Sequence, residues 1–259
     1  MRPLERLPAE EAKRLRGVVF DLDDTLLDHG RLGEAAYSAL FRLQEVGLLL
    51  VACTGRPAGW GEVIQRQWPI DATVAENGAV AFVRTDGGLL AEGALEARRS
   101  ELVALAGELT AAHPAASLAD DNSARWTDVM FDIGEHWRVP PEEVQAMRAF
   151  ARGRGVRTLE SSVHMHLTYA TDDKASGVLR LLAQRLGEDP TRARARWAFV
   201  GDSANDAAAF AAFGTTFGVA NVRRHAGRLT VPPRYVAGAE MGRGFAEIAA
   251  RIAHLRLPS

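Results

Sequence analysis

Asp21, Asp23 and Asp24 close an apolar run, Val18-Val19-Phe20, and are followed by Thr25. In extended backbone Asp21 and Asp23 face one way and Leu22 the other. Clustered carboxylates repel, and each disfavours ionisation of its neighbour unless a cation or a hydrogen-bond donor intervenes. Magnesium is the economical cation, because it takes oxygen ligands and keeps waters beside one or two carboxylates and a substrate phosphate. On this stretch alone the bland alternative is an acidic loop of helix caps.

Three further clusters supply partners for such chemistry. Thr54-Gly55-Arg56 offers a hydroxyl, a glycine and a guanidinium just before Pro57, where backbone N–H groups and a helix start can hold a phosphate. A strand-to-helix turn using Gly and a capping Thr would look the same. Lys174 follows Asp172-Asp173 at the first turn of a helical stripe, where a lysine works against the helix dipole and needs an anion. Asp172 or Asp173 would be the simplest partner. Of 31 basic residues, however, only Lys13 and Lys174 are lysine, so a compact ammonium bridging a carboxylate and a phosphate is the better explanation. The last cluster is Gly201-Asp202-Ser203-Ala204-Asn205-Asp206. Asp202 and Asp206 lie one helical turn apart, so a cation held by Asp202 would be steadied by Asp206, although capping explains one such residue equally well.

The elements that must position these groups follow from periodicity. Val18–Phe20, Leu48–Cys53, Ala72–Ala75, Trp197–Val200 and Thr215–Val219 are short apolar runs that read as buried strands, and helical stripes separate them. This predicts an α/β fold, a doubly wound parallel sheet with ligands outside the carboxyl ends of its strands. Asn77-Gly78 is a hairpin signal between Ala72–Ala75 and Val80–Val83. From Arg84 the pattern changes. Helices at Leu95–Leu109 and opened by Pro140-Pro141-Glu142-Glu143, and strands at Val156–Leu159 and Val163–Tyr169, make residues 84–167 an inserted α+β unit, leaving a discontinuous core of 1–83 and 168–259. Arg243–Leu255 closes the chain as an amphipathic helix.

Taken together, in order and spacing, the four clusters resemble the motifs of the haloacid dehalogenase superfamily of phosphohydrolases. The insertion resembles the α/β cap of the branch that contains sucrose-phosphate phosphatases and Cof-type sugar phosphatases. Asn77-Gly78-Ala79 and Met241-Gly242-Arg243-Gly244-Phe245-Ala246-Glu247 fit that branch, whereas Asp24 stands where it commonly has glycine, and Ala175 where glycine often follows the lysine. The resemblance implies a Rossmann-like core and a phosphatase working through an aspartyl-phosphate. It implies Asp21 as nucleophile and Asp23 as general acid and base, with Thr54 and Lys174 completing the catalytic set. Magnesium would be held by Asp21, Asp23 through its carbonyl, Asp202 and Asp206. Leu22, Gly55, Arg56, Asn77 and Asn205 would contact the phosphate. A sugar phosphomutase and a catalytically silent phosphate-binding protein are the alternatives.

Composition narrows the partners. A chain of 259 residues with net charge -2 lacks the basic excess of most nucleic-acid binders, and no run reaches membrane-spanning length. The single Cys53 allows no intrachain disulfide and suits a reducing compartment, so a cytoplasmic monomer or homodimer acting on a small phosphate ester is expected. His164 and His166 face one way on a strand; without a recognisable third ligand, substrate contact or packing is a better reading than zinc.

Overall fold

A computed structural model describes residues 1–93, 98–160 and 163–257. Nine strands form the large sheet in the order Arg2–Pro3, Tyr235–Val236, Thr215–Gly218, Trp197–Gly201, Gly17–Phe20, Leu49–Cys53, Ala72–Ala75, Val80–Thr85, Gly88–Glu92. The first seven run parallel, and the last two join antiparallel to Ala72–Ala75 through the expected hairpin. Gly17–Phe20 is central and fully buried, which explains its unbroken apolar run.

Alternate residues of these strands feed two apolar layers. Phe20, Leu50, Ala198 and Phe217 pack with Leu40 and Leu43 of the helix Glu34–Glu45 and with Phe245 and Ile248 of Met241–Arg256. Val19, Val51, Phe199 and Trp197 face the other way, against Val178 and Leu182 of Lys174–Arg185 and Phe210 of Ala207–Ala212. Each fully buried Phe or Leu contributes roughly 1.5–3 kcal/mol relative to exposure, so both faces need a helical layer. The fold is thus a doubly wound α/β sheet. Asp21, Thr54 and Asp202 follow three neighbouring parallel strands at their carboxyl ends.

The inserted unit has a four-stranded antiparallel sheet in the order Arg157–Glu160, His164–Thr168, Asp128–Asp132, Ser117–Leu118. Val129, Phe131, Met165 and Leu167 cover one face against the helices Arg99–Ala112 and Pro141–Gly153. By alternation Asp128, Met130, Asp132, His164, His166 and Thr168 share the other face. The expected helix at Leu95–Leu109 begins at Arg99; Leu95 to Ala97 lie outside the described residues. The strand Gly88–Glu92 pairs with Val80–Thr85 in the large sheet. A hairpin counted with the insertion on its turn residues therefore extends the core sheet, and we propose 1–93 and 169–257 as core and 98–168 as inserted unit. No described helix is long and apolar enough to cross a membrane.

Candidate active site

The centre of the site is an ion cluster at the tip of the large sheet. Lys174, 2% exposed, donates from Nζ to Asp21 Oδ1 and to Asp206 Oδ1, both at 2.7 Å. Its sequence neighbours are engaged elsewhere: Asp172 pairs with Arg180, and Asp173 caps the helix by accepting from Ser176 N at 2.8 Å. The lysine is therefore spent on the strand tips and not on a local ion pair. Asp206 Oδ2 accepts from Asp202 N at 2.9 Å and Ser203 N at 3.2 Å, so both of its oxygens are used in fixing neighbours. One carboxylate oxygen from each of Asp21, Asp202 and Asp206 lies within 4.8 Å of the others.

Three buried carboxylates face a single ammonium, and the imbalance shows in the acidity of Asp21 and Asp202. Burial pushes Asp21 up to about 7; Lys174 pulls it back while Asp206 and Asp23 add to the rise. Burial, then Asp206 and Asp21, push Asp202 up to about 9. Lys174 moves the other way: burial disfavours its charge, but Asp206 and Asp21 outweigh it and hold the ammonium well above the ordinary lysine range. An Asp at a strand tip is ionised unaided only if solvated; here Asp21 is 4% exposed and calls for further positive charge. An all-oxygen donor set with surplus negative charge fits a hard divalent cation.

Two residues that spacing does not single out complete this cluster. Thr25 Oγ1 lies 3.3 Å from both Asp21 Oδ2 and Asp202 Oδ1. Asn221 donates from Nδ2 to Asp202 Oδ2 and to the Asp24 carbonyl, both at 2.9 Å, and accepts from Met241 N at 3.1 Å. Asn221 lies just beyond the strand Thr215–Gly218, and position past a strand tip was the only signal available for it. Asp24 has φ 54, the left-handed region that favours glycine, which accounts for the glycine commonly found there in the resembled family.

The second shell of expected contacts divides. Thr54 is buried and its Oγ1 accepts from Arg56 N at 3.1 Å, which leaves the hydroxyl proton to donate. Among the described residues the backbone N–H groups of Leu22 and Gly55 have no protein acceptor, while the Leu22 side chain is fully buried in the core. Asn77 packs its amide on Gly55, with Oδ1 3.1 Å from where a Cβ on that glycine would sit. Asn205 is half-buried and accepts from Ser203 Oγ at 2.7 Å. The Arg56 guanidinium forks onto Asp23, Nε at 3.0 Å from both oxygens and Nη2 at 2.5 Å from Oδ1, with its carbon 4.1 Å from the Trp60 ring centroid. Asp23 is the half-exposed carboxylate within its reach, and bidentate pairing suits the planar fork. The Asp23 side chain accordingly stands apart from the Asp21, Asp202 and Asp206 cluster.

His164 and His166 each meet a carboxylate, and their rings stand edge to face with centroids 6.4 Å apart. His166 is 5% exposed and meets Asp128 Oδ2 through Nδ1 at 2.7 Å; His164 Nε2 meets Glu135 Oε2 at 2.7 Å. Burial lowers His166 despite the Asp128 bond. Asp128 is also held by Arg125, whose Nη1 lies 3.1 Å from both its oxygens and 3.2 Å from the Gly55 carbonyl. The inserted unit therefore touches the Thr54-Gly55-Arg56 turn directly.

Comparison with known proteins shows the family and the fold. Residues 18–112 match the family model for haloacid dehalogenase-like hydrolases. A phosphoglycolate phosphatase of Haloarcula marismortui is 30% identical over 243 residues, covering 90% of this chain and 95% of the relative. One of Methanospirillum hungatei is 27% identical over 239 residues with the same coverage. Among solved structures, Thermoplasma acidophilum 0175 superposes with a TM-score of 0.73 at 18% identity, over 93% of this chain and 99% of that one. The HAD subclass IIB sugar phosphatase BT4131 gives 0.65 at 15% identity, over 92% and 98%, a likeness of fold. The chain belongs to the haloacid dehalogenase-like hydrolases, and within them it is a phosphatase.

Proposed function

We propose that the protein is a magnesium-dependent phosphatase of a small phosphorylated metabolite, with Asp21 as nucleophile. The observation that carries this is Lys174, buried and 2.7 Å from both Asp21 and Asp206 beside Asp202: an isolated carboxylate cluster would not need a point charge so placed. Asp21 and Asp202 would hold the magnesium, with Asp206 steadying them and the Asp23 carbonyl alongside. Bound there, the ion supplies positive charge against the phosphoryl oxygens.

The chain's own groups account for the rest. Thr54 Oγ1, the Leu22 and Gly55 N–H groups, Asn205 and Lys174 surround the phosphoryl oxygens, where positioning and electrostatic stabilisation do most of the catalysis. The Asp21 carboxylate attacks phosphorus, and the ester oxygen leaves with a proton from Asp23. Asp23 then takes a proton from the water that attacks the aspartyl-phosphate, releasing inorganic phosphate and restoring Asp21.

The names of the two relatives support phosphoglycolate as the first candidate substrate to test, with sugar phosphates next. Phosphate release across a panel of glycolate, glycerate, sugar and nucleotide monophosphates, with magnesium and with a chelator, tests this reading. Asp21→Asn should abolish release with the fold intact, and near-normal turnover by that variant would overturn the covalent route. Free phosphate in less than one-to-one proportion to substrate consumed would favour the mutase alternative.

A further inference from the structure

Glu76 lies outside the four motif clusters, yet its carboxylate joins the helix after Thr54-Gly55-Arg56 to the inserted unit. Its carboxylate is 4% exposed. Oε1 accepts from Ala58 N at 2.9 Å and from Trp126 N at 2.8 Å; Oε2 accepts from Thr127 N at 2.7 Å and Thr127 Oγ1 at 2.5 Å. Ala58 opens the helix that follows the Thr54-Gly55-Arg56 turn, whereas Trp126 and Thr127 belong to the inserted unit. The Glu76 backbone closes on the same turn: Glu76 N donates to the Arg56 carbonyl at 3.0 Å and Asn77 N to the Thr54 carbonyl at 3.0 Å. Both residues have positive φ, 49 for Glu76 and 55 for Asn77, a conformation that side chains other than glycine keep only where the surroundings fix it. On the other side of the turn, Arg125, 3% exposed, donates to the Gly55 carbonyl.

A carboxylate buried this deeply is tolerated only with donors on its lone pairs, and Glu76 has four, one from the core at Ala58 and three from the inserted unit at Trp126 and Thr127. A simple staple between two units would need one such contact. Here the Ala58 bond and the backbone bonds of Glu76 and Asn77 adjoin the turn that carries the Thr54 hydroxyl and the Gly55 N–H. We propose that Glu76 is a positioning residue for the phosphate-holding turn: it locks residues 54–58 to residues 126–127, so the turn takes its binding geometry only when the inserted unit is seated on it. The inserted unit is then part of the phosphate site as well as its cover. This rests on the reading of that turn as a phosphate site.

The test is equilibrium binding of inorganic phosphate in magnesium buffer, measured by calorimetry, since it does not depend on turnover. In Glu76→Gln an amide NH₂ must face backbone donors on one side, and phosphate affinity should fall about tenfold or more, with kcat on p-nitrophenyl phosphate falling in parallel. Thr127→Val removes a single donor from the inserted side and should weaken phosphate binding about threefold. Val144→Ala, in the apolar layer of the inserted unit, should lower the thermal midpoint without changing phosphate affinity. Unchanged affinity in folded Glu76→Gln overturns the proposal, as does an equal loss in Val144→Ala. If Glu76→Gln does not fold, Thr127→Val decides alone, and unchanged affinity there overturns it. Absence of phosphate binding by the unaltered protein would instead sink the phosphatase reading.

Discussion

Lys174 must be small and point-like, because its ammonium sits between two carboxylate oxygens at 2.7 Å with 2% of the residue exposed. Lys174→Arg conserves charge but brings a planar fork too large for that point, and turnover should fall by ~10²-fold or more. Activity within a few-fold of the unaltered enzyme, measured by phosphate release, would contradict this. Asp21 and Asp202 lead to a second expectation. Their folded-state values, about 7 and about 9, lie above the ordinary 3.8, so between those limits the folded state binds more protons than the unfolded state. The stability these two groups give the metal-free protein is therefore fully present below about 3.8 and is lost as pH rises through 7 towards 9. Magnesium competes with those protons for the same oxygens, so the thermal shift it produces should grow over the same range. Thermal midpoints with magnesium and with a chelator from pH 5 to 9 check both trends, and a magnesium shift that shrinks with pH would refute the assignment.

At the level of elements, the start of the helix Lys174–Arg185 is held by close backbone contact as well as by the Asp173 cap and the Arg180 bond to the Gly78 carbonyl. A Cβ on Gly177 would lie 2.4 Å from the Cα and carbonyl oxygen of Gly78, and one on Gly78 would lie 2.2 Å from the Asp173 carbonyl oxygen. The turn after Ala72–Ala75 thus seats the helix that carries Lys174. Gly177→Ala should cost roughly 1–3 kcal/mol, as overpacking does, and should depress turnover as the helix start and Lys174 shift together. Denaturant unfolding and phosphate release on the same preparation would check this; lost stability with unimpaired turnover would mean the lysine is placed by its carboxylates alone. This contact also gives a physical reason for Asn77-Gly78 beyond the hairpin: Gly78 has φ 112, and the backbone of another element lies against it.

Across the whole molecule, chemistry and selection are expected to divide between the large sheet and the inserted unit. The polar face of the four-stranded sheet carries Asp128, His164 and His166, and the adjoining Arg125 reaches the Gly55 carbonyl. Replacing His164 and His166 together by Ala should reduce turnover of the preferred substrate at least tenfold more than that of p-nitrophenyl phosphate, which offers little for the inserted unit to recognise. Equal losses on both esters would assign the histidines to folding, since His166 is tied to the buried Asp128 and Arg125 pair. No loss on either would leave them no part in recognition.

The sequence by itself determined the local facts. Unbroken apolar runs require strands covered on both faces, so the doubly wound sheet and the placement of Asp21, Thr54 and Asp202 past strand ends were legible, as was the oddity of one lysine among arginines at a helix start. What only the tertiary structure decided are the pairings between residues far apart in the chain. Arg56 stands in a phosphate-like pattern, yet its fork has Asp23 within reach and takes it. Gly88–Glu92 reads as part of the insertion because turn residues precede it, but its backbone groups need a partner and find one in Val80–Thr85 of the large sheet. Asn221 and Glu76 lack a motif because their partners, Asp202 in one case and Thr127 in the other, lie 19 and 51 residues away in the chain. Side-chain spacing along one element reports what that element can present; which buried donor meets which acceptor across elements is set by packing, where an unmatched polar group is too costly to leave.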